Sequence, residues 1–275
     1  MSQSILITGA TGIVGRHVRT RLQACAPKAM LHSFRGDVCQ PDDLARFIDK
    51  LEQLDLVINL AAVVPVDQVS SDPARAYAVN VGGGINLLDQ ILQAGHQPYV
   101  FQCSSSHVYK ASESPLSEMA PTEPVSVYGK TKLMAEQAIS DICAAAGLTL
   151  GIGRVFSIHD PKQTGSFLRP SIERRLATED LTCPFELHGA DSVRDFLTAE
   201  EAAEFIVRLT LSRYRGIINI ASGAPLKIRD FVQSLTKAPL DIRHLGPKNR
   251  LVADISRLNT FRTSALEMNG REKNV

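Results

Sequence analysis

A chain of 275 residues, 44% hydrophobic and 21% charged, can bury one large core or two smaller ones and falls in the ordinary range of soluble globular proteins. Its formal charge of +1, with no basic run, gives no electrostatic reason to expect nucleic acid or a membrane surface as partner. Five cysteines (Cys25, Cys39, Cys103, Cys143, Cys183), odd in number and without metal or pairing spacing, read as reduced thiols of a cytoplasmic protein with no metal site. The first residues run straight into an apolar strand, so no signal peptide is expected, and no stretch is long enough to span a bilayer.

Ser4 to Thr8 predicts a short buried strand, and Arg16 to Ala26 has helical character. Between them stands Gly9-Ala-Thr-Gly12-Ile-Val-Gly15. Strand, glycine turn and helix make a phosphate site, because glycine lets the backbone approach a pyrophosphate and the helix N-terminus offers unpaired N–H groups. A plain glycine turn would show the same residues, since the spacing is G-x-x-G-x-x-G. Met30 to Phe34 is the candidate second strand. The acidic residue that grips a ribose hydroxyl, about 20 residues past the first glycine, is missing; Ser33 or Phe34 takes its place and Arg35 follows. A guanidinium there suits a 2′-phosphate and leans the cofactor toward NADP rather than NAD, while a solvated loop arginine fits equally well.

Gly36-Asp37-Val38 leads into a helix from Pro41 to Leu51. Asp55 to Leu60 is a third strand, continuously apolar as burial on both faces requires, and it exits into Ala61-Ala62. A long helix is expected from Asp72-Pro73 through Asn80 to Ala94, then a fourth strand from Pro98 to Gln102 with Cys103-Ser-Ser-Ser-His-Val-Tyr109 at its exit. A helix from Val125 to Ala146 ends at Gly147, a natural C-cap, and Leu148 to Gly153 is a fifth strand. Beyond Arg154 the elements shorten: helices at Phe167–Leu176, Thr198–Leu211, Ile228–Leu235 and Leu251–Phe261, and strands at Phe185–His188 and Gly216–Ile220. The alternation over the first 155 residues predicts an α/β, doubly wound parallel sheet with a smaller interleaved C-terminal lobe. Residues 1–155 with about 190–215 form the first unit, and 156–189 with 216–275 the second.

Tyr128 and Lys132 stand four residues apart, so on a helix their side chains share a face. A phenol beside an ammonium is an acid–base device: the cation favours phenolate and is expected to bring the tyrosine down from its ordinary value of about 10. A solvated helix face with a tyrosine and two lysines gives the same pattern.

With these residues the chain resembles the extended short-chain dehydrogenase/reductases, the nucleotide-sugar epimerase, dehydratase and reductase group. The resemblance rests on Thr8-Gly9-x-x-Gly12-x-x-Gly15, Gly36-Asp37-Val38, Asn59-Leu60-Ala61-Ala62, Asn80, Ser104-Ser105-Ser106-His107-Val108-Tyr109, Tyr128-x-x-x-Lys132, Val193-Arg194-Asp195-Phe196 and Asn219-Ile-Ala-Ser-Gly223. It implies a Rossmann domain for NADP or NAD, a lobe for a nucleoside diphosphate sugar, and a homodimer. By motif it assigns cofactor contacts to Gly9, Thr11, Gly12, Ile13, Gly15, Ser33, Arg35, Asp37, Val38, Leu60, Ala61, Ala62, Asn80, Cys103, Tyr128, Lys132 and Val155. Substrate contacts fall to Ser105, His107, Tyr128, Phe156, Ser157 and Arg194, the last facing the pyrophosphate. Ser105 would bond the reacting sugar oxygen and Tyr128 would exchange its proton while hydride moves between C4 and nicotinamide.

Departures narrow the activity the resemblance implies. The Asp-Glu pair of the dehydratases is Ser106-His107 here, which disfavours dehydration. His107 stands where GDP-fucose-synthase-like reductases carry a proton-moving cysteine; it either moves protons or shapes the pocket. The short second-strand region is similar to dTDP-4-dehydrorhamnose reductases. A 4-keto sugar reductase is therefore the first expectation, a 4-epimerase that retains NAD the second, and a non-catalytic dinucleotide sensor or scaffold the third.

Overall fold

The computed structural model describes residues 2–263. Ser4–Thr8 (β1), wholly buried, lies between Met30–Ser33 (β2) and Leu56–Asn59 (β3), and the sheet continues through Tyr99–Ser105 (β4) and Leu150–Val155 (β5) to Gly216–Ile220 at the edge, all parallel. Period-two alternation sorts β1: Ile5 and Ile7 face one core, Leu6 the other. The first core is closed by Val18 and Leu22 of Ile13–Cys25 (α1) and by Ala202, Phe205, Ile206 and Leu209 of a late helix, Ala199–Leu211. The second is closed by Leu44 and Ile48 of Pro41–Ile48 (α2), Leu87, Leu88 and Ile91 of Gly83–Gln93, and Ile139 and Cys143 of Val127–Ala145. Because β2 and β3 leave β1 on opposite sides, a crevice opens beyond its C-terminal end.

The expected long helix after Asp72 runs without a break over residues 73–93, but widens into a π-turn partway. Val66–Ser71 (α3), unforeseen, precedes Pro73–Tyr77 (α4), and a π-turn at Ala78–Gly82 comes before Gly83–Gln93 (α5). Packing explains Gly83: a Cβ there would lie 2.4 Å from the Val38 side chain. The tyrosine helix is Val127–Ala145 (α6), and Gly147 after it takes φ +68°.

The smaller lobe starts with Ser157–His159 (β6), Leu168–Thr178 (α7), Phe185–His188 (β7) and Val193–Thr198 (β8). Ala199–Leu211 (α8) then returns to the main sheet and feeds its edge strand, Gly216–Ile220 (β9). Pro225–Lys227 (β10), Ile228–Ser234 (α9), Ile242–Leu245 (β11) and Arg250–Leu251 (β12) complete the lobe, with β6, β10 and β12 pairing on β8 and β11 on β7.

Two expectations are corrected. The lobe boundary at 216 fails, since β9 belongs to the main sheet through buried Ile218 and Ile220, whereas β8, expected in the first unit, organises the lobe. The helix expected at Leu251–Phe261 begins at 256, because Leu251 pairs with Arg194 of β8 and Ala253 bridges to Leu116. Residues 264–275 of the expected second unit lie outside the described residues. Among the described residues no helix is long and apolar enough to cross a membrane.

Candidate active site

At the crevice the β1–α1 turn is pressed against the exit of β3. Gly9 takes φ +64°, and a Cβ there would meet the Leu60 carbonyl carbon at 2.7 Å; one on Gly15 would meet the Gly9 oxygen at 2.2 Å. Helix α1 starts at Gly12 with no side-chain cap and no acidic residue in its first turn, so its N–H groups and positive dipole end are left for a ligand. Thr11 and Gly12 are exposed, and Ile13, Leu60, Ala61 and Ala62 half-buried, around this turn. Gly15→Ala is expected to lower Tm and to weaken dinucleotide binding in a calorimetric titration by about tenfold or more, since overpacking a tight backbone contact costs about 1–3 kcal/mol.

At the end of β2, Ser33 is half-buried and Arg35 exposed, and the Arg35 guanidinium has no ion pair among the described residues. Asp37 is committed elsewhere. Its carboxylate accepts the Cys39 N–H at 2.9 Å and a guanidinium N–H of Arg75 at 2.8 Å, and the Cys39 bond does most to hold it below the usual carboxylate range. Val38 is buried and packs on α5.

Asn80, expected at the cofactor, spends its amide on the protein. It accepts the Val63 N–H at 2.7 Å and donates to Val63 O at 3.0 Å and Thr131 Oγ1 at 2.9 Å, while Thr131 donates to the Tyr128 carbonyl at 2.7 Å. The π-turn thereby staples the loop after β3 to the first turn of α6, where it fixes Tyr128.

Strand β4 runs further than expected and carries Ser105 to its tip, where the Ser105 hydroxyl accepts the His107 N–H at 3.2 Å and lies near enough to the Tyr128 phenol to favour its charged form. Ser126 caps α6 by accepting the Gly129 N–H at 3.1 Å. Gly129 lets the helix press onto the 106–108 turn; a Cβ there would stand 2.2 Å from the His107 oxygen. His107 and Tyr128 therefore meet edge-on, ring centroids 5.6 Å apart. One turn along, Lys132 is 3% exposed, and its ammonium has no hydrogen bond within the described residues.

The expected lowering of the Tyr128 pKa is overturned. Burial pushes the phenol up, the neighbouring Cys103 adds to this, and the nearby Ser105 hydroxyl only partly opposes it. Burial also lowers the Lys132 pKa, with Cys103 and Glu136 favouring its ammonium. Desolvation outweighs the charge effect read from the spacing, and Tyr128 is held as a neutral phenol. Burial, then Arg194, lower the His107 pKa and hold it as a neutral imidazole. Arg194 reaches it from β8, donating to Val193 O at 2.9 Å and Asn249 O at 3.3 Å.

Val155 ends β5 and Ser157 opens β6 beside the crevice, whereas Phe156 is buried among Val108, Tyr109, Leu116 and Leu251 and supports the site from beneath. Sequence reasoning missed Glu136 and Arg154, a buried pair below the triad of Ser105, Tyr128 and Lys132; Glu136 sits one turn past Lys132 on the same face of α6, a signal that was there to find. A dinucleotide fits these residues: two glycines admit no Cβ, an uncapped helix end faces the crevice, and a buried ammonium lacks a hydrogen bond.

The sequence matches the NAD dependent epimerase/dehydratase family over residues 5–221. It is 32% identical over 248 residues to GDP-6-deoxy-D-mannose reductase of Pseudomonas aeruginosa, covering 86% of this chain and 80% of the relative. It is 28% identical to UDP-glucose 4-epimerase of Azospirillum brasilense, covering 94% and 85%. The solved structure of RMD from Pseudomonas aeruginosa complexed with NADPH superposes with a TM-score of 0.84 at 27% identity, covering 94% of this chain and 92% of that one.

Proposed function

We propose that this chain, which belongs to the NAD-dependent epimerase/dehydratase family of NAD(P)-binding nucleotide-sugar enzymes, is an NADPH-consuming reductase of a 4-keto nucleoside diphosphate sugar. The observation that carries this reading is the neutral Tyr128 phenol, beside Ser105 and one helical turn from the buried Lys132. Reducing a carbonyl calls for a proton donor, and Tyr128 is poised as one. The reduced nicotinamide, when bound, supplies the hydride. Ser105 Oγ holds the keto oxygen, Tyr128 gives that oxygen its proton, and Lys132 holds the nicotinamide ribose and stabilises the phenolate left behind. Arg194 takes the substrate pyrophosphate in the lobe around β8, and His107 faces the sugar ring. The similarity to the Pseudomonas aeruginosa reductase supports the assignment.

The unpaired Arg35, with no acidic residue at the end of β2, supports NADPH over NADH. A guanidinium–phosphate bond worth about 1.5–3 kcal/mol makes Arg35→Ala raise KM for NADPH about tenfold or more, with KM for NADH unchanged. Equal effects on both in initial-rate assays remove Arg35 from cofactor choice.

The 4-epimerase reading has its own support in the 28% identity to the Azospirillum brasilense enzyme. Cofactor turnover separates the two. With GDP-, UDP- and dTDP-linked 4-keto sugars a reductase oxidises NADPH stoichiometrically; an enzyme purified with bound NAD that interconverts UDP-hexoses without net oxidation overturns the first reading. The same family resemblance supports a homodimer in which α5 and α6 meet their copies across a two-fold axis.

A further inference from the structure

Beneath the triad lies a buried polar network that the proposed chemistry does not use. Glu136, on the inner face of α6, is 4% exposed, as is Arg154 at the end of β5. The guanidinium grips the carboxylate in a fork, Nη2 to Oε2 at 2.7 Å and Nε to Oε1 at 2.9 Å, and the Ser104 hydroxyl donates to Oε1 at 2.5 Å. Arg154 also donates from Nη1 to the Glu118 carbonyl at 3.2 Å and lies 4.7 Å over the Tyr109 ring. Tyr109 in turn donates to Asn219 Oδ1 at 2.7 Å. One carboxylate thus joins α6, β4 and β5 directly below Ser105 and Lys132.

We propose that Glu136 is a positioning residue for the triad, its carboxylate keeping Lys132 as an ammonium while its grip on Ser104 fixes the end of β4 that presents Ser105. This rests on the roles given above to Ser105 and Lys132. The groups around Lys132 single out Glu136. On α6 these are Tyr128, a neutral phenol, and Glu136; on β4 they are Cys103, whose thiol burial keeps protonated, and Ser104. Arg154 on β5 spends its charge on Glu136, and His107 and Tyr109 on the following turn are uncharged. Glu136 is therefore the full negative charge favouring the Lys132 ammonium against burial. Removing it makes Lys132 lose its proton at lower pH.

The test is the pH dependence of NADPH binding to the full chain, followed by cofactor fluorescence with NADH run in parallel and Tm measured on the same samples. In the wild type, deprotonation of Lys132 weakens binding about tenfold on the alkaline side, the loss of one charge-assisted hydrogen bond. Glu136→Gln lowers Tm, because Arg154 is left buried and unpaired, and moves that limb to lower pH. Glu136→Gln combined with Arg154→Met removes both charges and keeps an acceptor for Ser104, so Tm recovers while the limb stays displaced. A double variant whose limb coincides with that of the wild type reduces Glu136 to a support of the fold and overturns the proposal. A wild type with no alkaline limb overturns the role of Lys132 itself, and a wrong sugar assignment touches neither result.

Discussion

Replacing Tyr128 with phenylalanine is expected to lower kcat about a thousandfold while the NADPH dissociation constant stays within about twofold, general acid catalysis being worth roughly 10²–10⁴. The substitution removes one oxygen. The ring still meets His107 edge-on, Thr131 still donates to the residue 128 carbonyl, and Asn80 still holds Thr131, so α6 keeps its place. What goes is the proton donor beside Ser105. Stopped-flow measurement of hydride transfer together with a cofactor titration reads the two effects separately. Unchanged turnover removes Tyr128 from the chemistry, and a large loss of cofactor affinity makes it a structural residue. Because burial raises the phenol's pKa, wild-type reduction should be flat through the neutral range and fall only on the alkaline side, where the proton donor is lost.

The parts legible in the sequence are those whose cause is local. β1, β7 and β9 are found to the residue because short apolar runs between turn residues mark buried strands. Ser105, Tyr128 and Lys132 are legible because a strand tip and a one-turn helical spacing place them together. The π-turn at Ala78–Gly82 was not, since the contacts that hold it, from Asn80 to Val63 and Thr131, are remote in sequence. β8 was missed for a similar reason: Val193-Arg-Asp-Phe-Leu-Thr carries two charges and becomes a strand only by pairing with β6, β10 and β12. The pKa of Tyr128 was misread in sign because spacing reveals a charged neighbour and says nothing of desolvation, which here is the larger effect. The spacing from Lys132 marks Glu136, but its pairing with Arg154 is not legible, because Arg154 lies on a different element, 18 residues away.

Asp195→Ala is expected to destabilise the chain by about 3 kcal/mol or more, since a hydrogen bond to a charged group is worth about 1.5–3 kcal/mol and this carboxylate accepts three, from Ser222 and Gly223. In a domain of this size that is a fall in Tm of roughly 6–12 °C by calorimetry. Asp195 is fully buried; it accepts the Ser222 N–H and O–H, both at 2.7 Å, and the Gly223 N–H at 2.9 Å. These bonds fix the turn after β9, where Gly223 takes φ +74° and a Cβ would strike Ile255 at 2.5 Å. The strand's period of two sets the division of labour. Asp195 turns inward to lock the turn, and Arg194, next along the strand, takes the other side, near enough for its charge to act on His107. A neighbouring pair of charges that reads as one motif thus does two jobs, and the variants should separate them. Arg194→Ala should raise the substrate KM about tenfold or more with Tm nearly unchanged, the loss of a charge-assisted contact to phosphate. Asp195→Ala should lower Tm first and reach KM only through the displaced strand. If Asp195→Ala leaves Tm untouched, the turn is held by the packing of Gly223 on Ile255 rather than by the carboxylate.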